Sequence, residues 1–162
     1  MPPWVLPEPE DDAERKLLAD VAERGWHILG VPANKEGPGF TFSVGILYSL
    51  SHPEIMIMGL PTNTAARLIN TMGDAIRVGR EYLPGQRYDD LADGFPLAFV
   101  SMDQRYYREY LATALWFYRT PDFPVLQCVW PDKAGLFPWE PGFDSRYFQV
   151  QRVLGSRGDP AK

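Results

Sequence analysis

The sequence predicts an α+β domain in which a largely antiparallel sheet packs against about three helices. Three consecutive strand-like segments lie between the first two helix-like segments, without the regular strand–helix alternation of a parallel sheet. The chain has 162 residues, of which 45% are hydrophobic. That length suits one domain with its own core and is too short for two domains of ordinary size.

The first half of the chain contains two predicted helices and three predicted strands. An acidic first turn and a stop at Gly25 favour a helix over 11–24, because acidic side chains suit the positive end of a helix and glycine suits its C-terminal cap. A second helix is predicted over 63–78, where apolar residues recur at helical spacing. The strands are predicted over 26–31, 40–47 and 54–60, where hydrophobic residues alternate or run continuously.

The second half adds a tyrosine-rich helix, predicted over 104–119 behind a cap at Asp103. Strands are predicted over 95–102, 125–130 and 148–154, with a short one near 81–83 inside the turn-rich segment 80–94. We expect a single domain over 11–154, preceded by an extended proline-rich tail at 1–10 and followed by a frayed C-terminus at 155–162.

Composition and charge exclude several classes of protein. A net charge of −5 disfavours binding to nucleic acid, and no apolar run is long enough to cross a membrane. The start of the chain lacks the basic and apolar regions of a signal peptide, so we expect a cytoplasmic protein. One cysteine and two histidines are too few for the usual disulfide frameworks or zinc sites, and no glycine-rich phosphate loop is present. We therefore expect no metal and no cofactor, whereas the oligomeric state stays open.

Four residues are candidates for catalysis: Ser43, His52, Glu54 and Asp132. His52 could act as an acid or base that Glu54 or Asp132 orients, with Ser43 as a nucleophile. Ser43 has a glycine two residues after it but none two residues before it, so it lacks the full nucleophile-elbow pattern. The alternative is that Ser43 is a small strand residue and that His52 stabilises a turn.

A second group of candidates lies in a loop that holds two tryptophans and two acids between fixed prolines. These candidates for ligand binding are Gln127, Trp130, Asp132, Trp139 and Glu140. A tryptophan with one wet edge is common in recognition sites, and nearby prolines reduce the entropy that binding costs. Two interpretations stay open at this stage: the rings cap the core, or they contact a ligand.

Three stretches of the chain form longer motifs: Gly25-Trp26 with Pro38-Gly-Phe-Thr-Phe-Ser-Val-Gly-Ile46, then His52-Pro-Glu-Ile-Met-Ile-Met-Gly-Leu60, then Leu126-Gln-Cys-Val-Trp-Pro-Asp132 with Gly135-Leu-Phe-Pro-Trp139. With these three motifs the chain resembles the DUF4262 family, a group of mostly bacterial domains. The chain has Phe42-Ser43 where the family usually has Tyr-Thr, and Gln151-Arg152 where it usually has Gln-Pro. The resemblance implies an α+β domain over roughly 11–154 and brings no assigned reaction and no catalytic residues.

Together these observations favour a recognition module that binds a protein or a small ligand through the aromatic and acidic loop. The alternative is a small hydrolase-like enzyme that uses His52 with Glu54 or Asp132 as acid and base.

Overall fold

The computed structural model describes residues 4–157, and within them a seven-stranded sheet packs against five α-helices. The helices are Asp12–Arg24 (α1), Ile46–Leu50 (α2), Thr62–Arg77 (α3), Tyr107–Tyr110 (α4) and Ala112–Tyr118 (α5). The strands are His27–Val31 (β1), Phe40–Val44 (β2), Glu54–Met58 (β3), Arg87–Ala92 (β4), Phe95–Met102 (β5), Val125–Val129 (β6) and Gly155–Ser156 (β7). Short 3-10 helices span Gln104–Tyr106 and Ser145–Gln149.

The sheet is mixed. Its strand order is β1-β2-β3-β6-β5-β4, and β7 pairs with the far end of β5. Strands β3 and β6 run parallel at the centre, whereas every other described pair is antiparallel. The prediction of a largely antiparallel sheet among helices is therefore confirmed in outline, and the parallel central pair is a correction to it.

Both faces of the central strands are covered, which explains why β3 and β6 are buried at every position. Helix α3 packs on one face through Leu68, Ile69 and Met72. The other face is covered over β2 and β3 by α1, α4 and α5. Over β5 and β6 it is covered by Phe137, from the loop that follows β6.

The predicted strand over 40–47 ends early. Gly45 has a left-handed φ of 116° and lies so close to Gly25 that an added Cβ would be 2.8 Å from its carbonyl oxygen. Only glycine fits this sharp turn without strain. The chain then enters the short helix α2, whose first two residues belong to the predicted strand.

Two further elements differ from the sequence-based expectation. The predicted helix over 104–119 is interrupted at Leu111, whose φ of −121° and ψ of 40° lie outside the helical region. In the segment 80–94 the strand occupies Arg87–Ala92, so the short strand expected near 81–83 is wrong. The additional helix α2 and the break between α4 and α5 raise the number of helices from the predicted three or so to five among the described residues.

The strand predicted over 148–154 is also wrong, for a reason that lies in its neighbours. Strand β6 already pairs with β3 and β5, so this segment crosses the face of the sheet instead of joining an edge. Two glutamine side chains supply hydrogen bonds in place of those that pairing between strands would have made. The Gln127 amide bonds to Arg152 O at 2.6 Å and Leu154 N at 2.7 Å, and the Gln151 amide bonds to Trp130 N at 3.1 Å and Trp130 O at 2.9 Å.

Parts of both predicted termini contact the domain. Trp4, within the predicted tail, packs edge-on against Tyr118 with ring centroids 4.8 Å apart. At the other end Gly155 and Ser156 pair with β5. Residues 1–3 of the predicted tail and residues 158–162 of the predicted frayed end lie outside the described residues. No helix between residues 4 and 157 is long and apolar enough to cross a membrane.

Candidate functional site

The first predicted cluster contains a buried carboxylate held by hydrogen-bond donors. Glu54 begins β3 and is 1% exposed. Five groups donate to it: Ser43 Oγ at 2.7 Å, the backbone N–H groups of Gly45, Ile46 and Leu47 at 2.8, 3.1 and 3.3 Å, and the Tyr118 hydroxyl. The backbone N–H groups of the turn between β2 and α2 thus surround the Glu54 carboxylate. No cation within residues 4–157 forms an ion pair with this carboxylate.

Burial and hydrogen bonding act on this carboxyl in opposite directions. Burial raises the pKa of Glu54, and the donors from Tyr118, Ser43 and the turn only partly offset that effect. Burial also raises the pKa of the Tyr118 phenol, and the neighbouring Glu54 carboxyl adds to that rise. Both groups are therefore harder to ionise than in water.

Ser43 forms its side-chain hydrogen bonds within the same cluster. Its hydroxyl donates to Glu54 and accepts from Ile55 N at 2.9 Å, and the side chain is fully buried. The structure thus brings together two of the four predicted catalytic residues, Ser43 and Glu54. Their contacts join β2, β3 and α5 through one set of hydrogen bonds.

The raised pKa of Glu54 predicts a pH-dependent stability. Because the folded chain binds this proton more tightly than the unfolded chain does, protonation of Glu54 stabilises the fold. That contribution to stability is complete below the ordinary glutamate pKa of 4.5, and it is lost as the pH rises through the raised pKa that Glu54 has in the folded chain. Chemical unfolding of the parent chain and of Glu54→Gln across this range measures it, since the other titrating groups cancel in the difference. A difference that does not change with pH would contradict the prediction.

His52 makes separate contacts. Its Nδ1 is 2.9 Å from the Pro53 carbonyl oxygen, and its Nε2 accepts from Tyr82 N at 3.1 Å. This pattern fits a neutral ring that donates through Nδ1. Burial lowers the pKa of His52, which favours the same neutral form. The histidine therefore fastens the segment after α3 to the start of β3.

Asp132 organises the loop that follows β6. It accepts hydrogen bonds from the backbone N–H groups of Ala134, Leu136 and Asp144, each at 2.9 Å. Burial raises its pKa, but these three donors outweigh burial and hold the pKa of Asp132 below its usual value. Hydrogen bonds thus connect Ser43 with Glu54, whereas His52 and Asp132 are each bonded to other parts of the chain.

The predicted ligand-binding residues divide into two groups. Gln127, Trp130 and Asp132 are buried, and their polar atoms bond within the chain. The Trp130 ring points to the α3 face, where its Nε1 donates to Met58 O at 2.7 Å. Trp139 and Glu140, in contrast, are half-buried and border a cavity of about 330 Å³.

This cavity lies where the start of β4 pairs with β5, and Arg87 and Ala98 of that pair border it. The half-buried Trp139 ring stacks on the buried Phe137 ring, with centroids 5.2 Å apart and planes 5° from parallel. Arg157 lies over Trp139 at 4.9 Å, and Arg87 lies over Phe137 at 5.1 Å. These four side chains, joined through ring contacts, are called the aromatic–arginine surface below.

Sequence reasoning did not connect the two arginines with this loop, and it did not foresee the contact of the Tyr118 phenol with Glu54. Arg87 and Arg157 are 70 residues apart in the chain and belong to no local motif. Tyr118 was assigned to helix packing, which is correct as far as its ring is concerned. Alternation along β6 could have separated the two tryptophans, because Leu126, Cys128 and Trp130 share one face.

The described residues contain no group of three or more His, Cys, Asp or Glu side chains placed to hold a metal ion. Cys128 is fully buried, and burial raises the pKa of its thiol. Its geometry is that of an ordinary core residue.

Comparison with known proteins gave one result. The model of a family described as a domain of unknown function, DUF4262, matches residues 20–144, which include all three stretches noted in the sequence. Searches among curated proteins and among solved structures gave no match. Because the family model spans more than half of the chain, this protein belongs to the DUF4262 family.

Proposed function

We propose that this chain is a recognition module that binds another molecule through the aromatic–arginine surface. The observation that carries the proposal is Trp139, a half-exposed ring held in parallel stacking on the buried Phe137. Its position is fixed before any ligand arrives, so binding costs little side-chain entropy. The adjoining cavity of about 330 Å³ falls at the lower end of the range for small-ligand sites.

The surroundings of the ring support the same function. Trp139 also borders a second, wider depression of about 600 Å³, next to the exposed ring of Phe148. Asp132 holds the first turn of the loop, and Glu140 accepts from Phe137 N at 2.9 Å and holds the second. The predicted loop residues thus act together, some as supports and Trp139 as a contact.

Replacement of Trp139 by alanine should abolish binding and lower the free energy of unfolding by less than about 1.5 kcal/mol, because the ring is only half-buried. Binding to the parent chain is measured by NMR on the indole N–H signals during titration with phenylacetate, phenylacetamide, phenyl phosphate and cyclohexanol, and binding to Trp139→Ala is measured by isothermal titration calorimetry with the same four probes. The Trp139 signal is identified by its loss in Trp139→Phe.

Trp116 provides the control within the same molecule, since it borders a different cavity of about 360 Å³. We expect at least one probe to shift the Trp139 signal and leave Trp116 unchanged. If no probe moves Trp139, or if both signals move alike, the proposal is wrong. The acid–base alternative involving His52, Glu54 and Asp132 remains a prediction, without an observation that favours it over binding.

A further inference from the structure

We infer that the cavity beside Trp139 takes a small organic anion, with an apolar or planar body and a carboxylate or phosphate head that Arg87 and Arg157 bind. This inference rests on the proposed function and specifies the class of ligand. Its basis is two arginines that border one cavity in an otherwise acidic chain.

Within residues 4–157 ring contacts position the two guanidinium groups and no carboxylate neutralises them. Arg87 lies over the Phe137 ring and Arg157 over the Trp139 ring, and both arginines are exposed. Among residues 4–157 neither forms an ion pair with a carboxylate. A ring contact restrains a guanidinium without using its N–H groups, so these donors remain available to a carboxylate or a phosphate.

The charge of the cavity lining agrees with an anionic ligand. Glu140 is the acidic residue of the lining, and one of its oxygens already accepts from Phe137 N. Two arginines against one glutamate leave the lining positive, whereas the whole chain carries −5. The neighbouring depression is bordered by Arg157 and by Arg152, without an acidic side chain in its lining.

The rest of the cavity fits an apolar body. Ala98 of β5 lies on the face of the sheet that Phe137 covers, and Pro141 and Trp139 form part of the cavity wall. Phe137 and Arg157 cover the two faces of the Trp139 ring, so a ligand can place an apolar group against the edge of that ring and direct its charged end toward the arginines. Glu140 disfavours a ligand with a second negative charge.

The test compares ligands that differ only in charge. Phenylacetate and phenylacetamide share a body, and phenyl phosphate separates a phosphate head from a carboxylate. We expect the anions to bind the parent chain at least tenfold more tightly than the amide, as measured by the Trp139 indole shift. Raising the salt concentration should weaken the anions and leave the amide unchanged.

Variants identify the arginines. Arg87→Gln and Arg157→Gln should each weaken anion binding about tenfold, the loss expected for one charge-assisted hydrogen bond. Arg67→Gln makes the same change of charge on the exposed side of α3 and should have no effect. If the amide binds Trp139 as tightly as the anions, the inference fails while the proposed function stands. If no probe moves the Trp139 signal, both fail.

Discussion

Replacement of Glu54 by alanine should lower the free energy of unfolding by about 3–5 kcal/mol at neutral pH. The side chain fills a fully enclosed space, and its removal leaves five donors without their acceptor. Three of these donors are backbone N–H groups of the turn at Gly45–Leu47, which cannot turn elsewhere without unfolding α2. Urea denaturation of the full chain measures the loss.

Glu23→Ala is the matched control, because it removes the same charge from an exposed position of α1. We expect this control to change stability by no more than about 0.5 kcal/mol. If Glu54→Ala does not fold, Glu54→Gln provides the measurement, since the amide keeps the volume and one acceptor and should lose less. Equal stability of the Glu54 and Glu23 variants would show that the donors find water or other partners.

The chemistry of Glu54 could be suspected from the sequence, but its role could not. The sequence makes Glu54 a candidate only as a partner that could orient the nearby His52. Three of its five donors are the N–H groups of Gly45, Ile46 and Leu47, a segment that the alternation of residues predicts to be a strand. In a strand these N–H groups would bond to a neighbouring strand. The wrong assignment of residues 45–47 therefore concealed the structural role of Glu54.

A second reason why sequence-based prediction fails here is that side-chain hydrogen bonds can take the place of backbone pairing between strands. The sequence of 148–154 suits a strand, but its position over the middle of the sheet is fixed by Gln127 and Gln151. Such contacts link residues more than 20 positions apart, and no local propensity encodes them. In contrast, β5 and β6 were placed correctly, because a buried strand with apolar residues and a turn at each end is a local pattern.

The same reasoning applies to the candidate binding surface. Trp130 and Trp139 both lie next to prolines and acids, so these neighbours do not distinguish the buried ring from the half-exposed one, and only the alternation along β6 indicates that Trp130 faces α3. Their separation follows from tertiary contacts, namely Met58 O for Trp130 and the Phe137 ring for Trp139. The sequence-based prediction therefore named this loop as a candidate, whereas the placement of Arg87 from β4 and of Arg157 from the C-terminal segment beside it required the structure.

Replacement of Gly59 by alanine should lower the free energy of unfolding by about 3–5 kcal/mol, because it combines backbone strain with a steric clash. Gly59 follows β3 with a left-handed φ of 93°. An added Cβ would overlap the carbonyl oxygen of Val150 and lie 3.0 Å from Cζ2 of Trp130. Neither neighbour can move freely, since Gln151 anchors the segment beside Val150 and Trp130 bonds to Met58 O.

Gly94→Ala separates the two contributions to this loss. Gly94 has a φ of 90°, almost equal to that of Gly59, but an added Cβ would meet no atom within 4 Å. This control therefore carries the backbone strain alone and should lose about 1–2 kcal/mol. The difference between the two variants, measured by urea denaturation, is the cost of the clash with Val150 and Trp130. If both variants lose the same amount, the close contact of the C-terminal segment with β3 contributes nothing, and conformational strain alone accounts for glycine at this position.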